Sequence, residues 1–333
     1  MKVLRNPLLL AAIVLLLLAV LPLFVQSFFL LGIFIVIFFY TGLTAAWNIP
    51  VFGGKLSLGH AAFFGLGAYT AAILYVDFGI TPLIGVFVGT AFALVGALIL
   101  TVPLVLLRGP FFTLASLAFA EVLRLVTIYW KDLTGGSVGI NIPFNAGWQN
   151  LTFQSNVPFY YISLVLAAAS VGISYVIYKR AFGYHLRAAA SDEEAAQALG
   201  IDTTRAHVVA LLWSAGIAGT LGAFYAFYLY TIEPNTFFSL QLFSLQPALN
   251  GIIGGMGTVL GPVVGSALMT PLAEVLRIYL GSVQQGLNFL IYGLILILIV
   301  QTIPGGLVSV LSRLSKRLGF RSEDAPPERG KGE

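Results

Sequence analysis

The run "LLLAAIVLLLLAVLPLFV", Leu8 to Val25, decides the fold class. Eighteen residues pass without a charge, close to the ~20 that an α-helix needs to cross a bilayer. Runs of this kind recur along almost all of the 333 residues. Apolar and aromatic side chains make up 59% of the chain and Asp, Glu, Lys and Arg only 9%, whereas a soluble domain is typically about half apolar and a quarter charged. The reading is an all-α integral membrane protein with no room for a sizeable soluble domain. Lys2 and Arg5 precede the first run as they would in a signal peptide, but the run is too long for a signal h-region and no A-x-A site follows it. It is expected to remain as a span.

Ten transmembrane helices are expected, at about 8–25, 28–50, 60–76, 82–107, 110–130, 158–178, 207–230, 241–256, 262–280 and 285–303. They form one transmembrane domain over 1–310, and the polar, Pro-containing tail over 311–333 is expected to be disordered. Lys and Arg near span ends stay on the cytoplasmic side. With the N-terminus inside, fourteen of the seventeen Lys and Arg fall in cytoplasmic segments, and the reverse orientation would export them. Both termini are therefore read as cytoplasmic.

The chain contains no cysteine, which excludes disulfides, thiolate metal sites and a Cys nucleophile. His60, His185 and His207 lack metal-ligand spacing. No G-x-x-x-x-G-K-[ST] stretch is present to hold a nucleotide.

Charge gathers in one place, "FGYHLRAAASDEEAAQALGID" from Phe182 to Asp202, within a cytoplasmic loop over 179–206. Ser191 with Glu194 three residues on has the form of a capping box, Asp192 and Glu193 suit the positive end of a helix, and Gly200 is placed to end it. Ala195, Ala196 and Leu199 then make a small apolar stripe that would anchor poorly in a membrane but would fit a groove on another protein. The plainer alternative is a solvated connector helix. On the opposite face, the segment from Lys131 to about Val157 is rich in Gly, Asn and Pro and predicts a shaped loop.

Two spans echo each other. "GPFFTLASLAFAEVLRL" from Gly109 and "GPVVGSALMTPLAEVLRI" from Gly261 share a Gly-Pro start and an Ala-Glu-Val-Leu-Arg end, and both run inside to outside, as a duplicated transporter core can produce. In each, a Glu and an Arg stand one turn apart, Glu121 with Arg124 and Glu274 with Arg277. Such pairs neutralise themselves cheaply near a span end, or mark an outer gate or the seat of a delivery protein. The stretch "VFGGKLSLGHAAFFGLGAYTAA" from Val51 sets Gly53, Gly54, Gly59 and Gly65, with Ser57 and His60, in or beside membrane-depth sequence. Glycine there serves a broken helix along a pathway, close helix packing, or both. Asn48, Asn250 and Asn288 at depth read as interhelical hydrogen bonders rather than solute ligands.

The spacing of Glu194, Ala195, Ala196 and Gly200 is similar to the EAA-type coupling loop of ABC importer permeases, by which the membrane subunit docks into its ATPase. "GGKLSLGHAAFFGLGAYTAA" from Gly53, "LRGPFFTLASLAFAEVLRL" from Leu107, "LTGGSVGI" from Leu133, "NGIIGGMGTVLGP" from Asn250 and "IPGGL" from Ile303 resemble, in order, the LivM-type permease of branched-chain amino-acid ABC importers over about 30–310. One departure is Ser137-Val138, where that pattern has a Pro-Asn or similar pair. The resemblance implies a subunit of a bacterial or archaeal cytoplasmic (inner) membrane that alternates between outward-open and inward-open states, performs no chemistry and needs no cofactor. Its implied partners are a second, LivH-type permease, two ATP-binding subunits, an extracytoplasmic binding protein and membrane lipid, not nucleic acid. Branched-chain amino acids are the implied solutes, with urea or short amides as the alternative because related permeases carry them. An ion-coupled secondary transporter would need a buried coupling site, for which only Glu121 and Glu274 are available. A membrane-embedded enzyme would need a convergent set of acid, base and nucleophile, and no such set is visible.

Overall fold

The computed structural model describes residues 7–25, 27–107 and 109–280, with 293–294, 297, 301–302 and 305–310 beyond them; the side chains of 7–10 and 277–280 fall outside that description. Most of the expected span at 285–303, the tail over 311–333 and the side chain of Arg277 therefore lie outside the described residues.

Helices α1 (Pro7–Phe24), α2 (Phe28–Val51), α3 (His60–Val76), α4 (Pro82–Leu106) and α5 (Pro110–Tyr129) follow through short connections. A segment with the short α6 (Lys131–Thr134), strand β1 (Ile140–Asn141) and a 3-10 turn at Trp148–Asn150 leads to α7 (Asn156–Lys179). Then come α8 (Ala181–Ser191), α9 (Glu193–Ala198) and α10 (Thr203–Leu229), followed by β2 (Thr231–Ile232), which pairs antiparallel with β1. The described order closes with α11 (Pro234–Phe237), a π turn at Gln241–Leu245, α12 (Gln246–Gly255) and α13 (Gly261–Leu280).

Five of these helices, α2, α4, α5, α7 and α10, are long and apolar enough to cross a membrane, and Ala11–Phe24, His60–Val76 and Gly261–Leu276 are shorter apolar helices. Pro82 and Pro110 open α4 and α5 at positions where a missing N–H costs nothing. Helix α10 starts at Thr203, earlier than the expected 207, because Asp202 caps it: Oδ1 accepts the Arg205 N–H at 2.9 Å.

The stretch expected to span at 241–256 is different in kind. It is a π turn followed by a ten-residue helix, and at ~1.5 Å per residue such a helix covers about 15 Å, half of a ~30 Å hydrocarbon core. Pro247 accounts for the change, since it offers no N–H to the Phe243 carbonyl one turn earlier.

The two ends of the bundle are distinct. At one end the β1–β2 ribbon joins the segment after α5 to the segment after α10, and Asn156 donates to the Phe28 carbonyl at 3.0 Å, tying the starts of α7 and α2 together. The other end carries α8 and α9. Between them α3, α4 and α10 meet at backbone distance. A Cβ on Gly67 would lie 2.1 Å from the Gly219 carbonyl oxygen, one on Gly89 would lie 2.6 Å from that of Gly67, and one on Gly222 would lie 2.1 Å from that of Phe64. Lipid tails are as apolar as leucine, so helices in a bilayer associate through close packing of this kind.

Candidate functional site

The glycine-rich stretch is where the backbone leaves regular structure between α2 and α3. After α2 the chain turns through Gly53 and Gly54 and runs without helix to α3, whose first residue, His60, is fully buried. Gly54 and Leu56 are exposed, whereas Gly53, Ser57 and Gly59 are buried, and buried backbone groups need protein partners. Side chains of other elements provide them. Thr113 donates to the Leu56 carbonyl at 2.7 Å and Trp47 Nε1 to the Ser57 carbonyl at 3.0 Å. Ser116 Oγ accepts the Leu58 N–H at 2.8 Å, and Ser244 Oγ, in the π turn, accepts the Ala61 N–H at 2.9 Å. His60 Nε2 and Ser214 Oγ are 2.6 Å apart.

The six residues singled out here are held by protein contacts. Gly53 lies against His207 and Leu186, Gly54 has φ +73° and faces Ala190, Gly59 packs on Ser116, and Gly65 receives the Phe238 ring. Ser57 Oγ accepts the Gly59 N–H at 3.2 Å. None of Gly53, Gly54, Ser57, Gly59, His60 and Gly65 lines either of the two cavities described below. The hydroxyls that hold the break were not picked out from sequence; their only signal was Ser and Thr recurring in apolar helices.

At the α8–α9 end the expected capping box is replaced by a tighter joint. Ser191 is the last residue of α8 and donates to the Arg187 carbonyl at 3.0 Å. Asp192, in extended backbone, is the cap of α9, its carboxylate accepting the Ala195 N–H at 3.0 Å. The Ala-rich run before Ser191 prolongs α8 by one residue, and a carboxylate suits the positive helix end better than a hydroxyl. Gly200 closes α9 as expected, with φ +85°. The apolar stripe is split: Ala196 is buried, Ala195 is exposed and Leu199 is 83% exposed. Glu193 lies against Lys55 and near His207, and both of these with Glu193 and the exposed Glu194 line a recess of about 230 Å³. Arg187 anchors α8 by donating to the Tyr178 carbonyl at 2.8 Å and lying 4.2 Å above the Tyr178 ring.

A larger cavity, about 800 Å³, opens between α2, α5, α13 and the π turn, with Tyr40, Glu121, Arg124, Asn235, Gln241 and Glu274 among its walls. Arg124 holds Glu121 with two nitrogens and Asn235 Oδ1 with the third, so the ion pair expected from spacing forms. Glu121 and Glu274 occupy the same place in the two Ala-Glu-Val-Leu-Arg stretches and face one space. Asn48, expected to bond to another helix, instead holds the turn between α12 and α13, donating to the Thr258 carbonyl at 2.7 Å and accepting the Gly257 N–H at 2.9 Å. Asn250 donates to Ser266 Oγ at 3.4 Å; Asn288 lies outside the described residues. Among the described residues no group of His, Asp or Glu could hold a metal ion.

Five helices long and apolar enough to cross a bilayer, with shorter apolar ones beside them, make this a multi-pass membrane protein. The chain belongs to the family described as branched-chain amino acid transport system / permease component, whose model matches residues 29–300. It is 26% identical over 253 residues, 67% of its own length, to the high-affinity branched-chain amino acid transport system permease protein LivM of Salmonella typhimurium, and spans 58% of that relative. A probable branched-chain amino acid transport permease protein LivH of Methanocaldococcus jannaschii is 27% identical over 76% of this chain and 82% of its own. The autoinducer 2 import system permease protein LsrC of Salmonella paratyphi B is 26% identical over 64% of this chain and 60% of its own. No solved structure matches.

Proposed function

We propose that the chain is the membrane-spanning permease subunit of an ABC importer for branched-chain amino acids. It sits in a bacterial or archaeal cytoplasmic (inner) membrane as a multi-pass protein with its N-terminus and the α8–α9 pair inside. It works with a second, LivH-type permease, two ATP-binding subunits that hydrolyse the ATP, and an extracytoplasmic binding protein. In this reading α8 and α9 are the element that the ATPase grips, and the 800 Å³ cavity receives the solute. The carrying observation is the family match over residues 29–300, and Glu194, Ala195 and Leu199, exposed together on a short capped helix at one end of the bundle, support the docking role.

The cavity volume lies within the ~300–1,000 Å³ of small-molecule sites, ample for one amino acid. The paired charges on its wall fit weak retention of a zwitterion, which leaves selection to the delivery protein. Glu121 and Glu274 facing one space from echoed sequences supports an internal duplication. The LsrC relatives are named for a different solute, so substrate has to be measured. Titrating the cognate binding protein with leucine, isoleucine, valine and urea tests the assignment. Tight binding of a branched-chain amino acid is the expected result, and tight urea binding with none of leucine would reassign the importer to short amides.

A further inference from the structure

Glu193 stands at the first position of α9, yet its carboxylate points away from the exposed face of that helix. Its Oε2 is 3.3 Å from Lys55 Nζ. Its Oε1 accepts from Thr203 Oγ1 at 3.5 Å and is 3.7 Å from His207 Nδ1. The other ring nitrogen of His207, Nε2, is 3.0 Å from the Gly53 carbonyl and must donate, because a carbonyl can only accept. A neutral ring with its proton on Nε2 carries none on Nδ1, so His207 does not bond Glu193; the carboxylate ties α9 to the start of α10 through Thr203 and, through Lys55, to the chain just after the turn that begins the helix break.

That break leads inward. Its far end is held by Ser116 and, through the Ala61 N–H, by Ser244 of the π turn. The same turn presents Gln241, Leu242 and Leu245 to the 800 Å³ cavity. Between Lys55 and His60 the backbone is not helical and is held instead by side chains of α2, α5 and the π turn, so a displacement at Lys55 is felt by those elements. Glu193 is 37% and Lys55 12% exposed, so the pair is part-buried and shielded from solvent on the Lys55 side.

We propose that Glu193, through Lys55, is the positioning residue that passes displacement of α9 to the α2–α3 break and from there to the cavity. It rests on the reading of α8–α9 as the ATPase-docking element. Glu194, on the exposed side, then serves contact with the partner, and Glu193 serves transmission within the permease.

The test uses the full importer reconstituted in liposomes, comparing the native chain with Lys55→Glu, Glu193→Lys, the double exchange and Glu193→Gln. The measured quantity is solute carried per ATP hydrolysed, which a merely structural defect would leave unchanged because both rates fall with the amount of folded complex. Each single exchange should lower this ratio about twofold to thirtyfold, the range over which substitutions along a coupling route act. The double exchange should recover most of it. Native ratios in both single exchanges overturn the proposal. Should the exchanges fail to assemble, Glu193→Gln, which keeps the shape and removes the charge, decides: a native ratio there overturns it and a lowered one supports it. Failure of the native chain to retain its ATPase, read before any substitution, would instead overturn the docking assignment, and the proposal with it.

Discussion

Ser116→Ala isolates the cost of leaving the helix break unsupported. Ser116 is fully buried, and its hydroxyl accepts the Leu58 N–H at 2.8 Å while donating to the Thr113 carbonyl. Alanine would strand the Leu58 donor, which costs ~1–3 kcal/mol when water cannot replace the partner. Ser174 supplies the contrast. Its hydroxyl is also buried, in α7, but has no hydrogen-bond partner, so Ser174→Ala removes an unsatisfied polar group and should leave stability equal or higher. Both changes gain the same helix propensity, ~0.5 kcal/mol, which cancels between them. The expected result is that Ser116→Ala lies ~1–3 kcal/mol below Ser174→Ala. Unfolding of the purified chain by detergent titration, followed by circular dichroism, measures the difference. Equal stabilities for the two variants would refute the claim that side-chain hydroxyls hold the break.

Three further outcomes are expected. Gly67→Ala should destabilise by about 1–3 kcal/mol or more, as overpacking does, because the new Cβ meets the Gly219 carbonyl at 2.1 Å; Gly172→Ala, with nothing within 4 Å, should be neutral or stabilising in the same detergent melt. Glu194→Ala should leave insertion and assembly with the second permease intact while lowering uptake and its coupled ATP hydrolysis in membrane vesicles; normal transport would remove Glu194 from the docking role. Because the chain has no cysteine, Asn145→Cys should react with a membrane-impermeant thiol reagent added outside intact cells and Leu199→Cys should not, and the reverse pattern would invert the topology.

Much of the fold was legible because burial in lipid is decided segment by segment. Length and hydropathy placed α2, α3, α4, α5, α7 and α10 within a few residues, and they failed at 241–256, where Pro247 and the packing of Phe243 against α3 matter more than mean hydropathy. The glycine stretch was legible as unusual but not as a hydrogen-bonded break, since its partners are Ser116 and Ser244, distant in sequence and ordinary in type. The α9 joint was read one residue early, at Ser191 instead of Asp192, because either residue is an acceptable cap and the choice depends on where α8 stops.

The sequence by itself determined an all-helical membrane chain, the end of α9 at Gly200 and the pairing of Glu121 with Arg124. Each of these follows from neighbours within a turn or from the apolar content of a single segment. Only the tertiary structure decided that Glu193 meets Lys55, 138 residues away, that hydroxyls from α5 and the π turn satisfy the break, and that Glu121 and Glu274 share one cavity. Hydrogen bonds and ion pairs act over a few ångströms, so which distant groups meet depends on how each helix is rotated and set against its neighbours. Here glycines that allow backbone contact between α3, α4 and α10 set that arrangement.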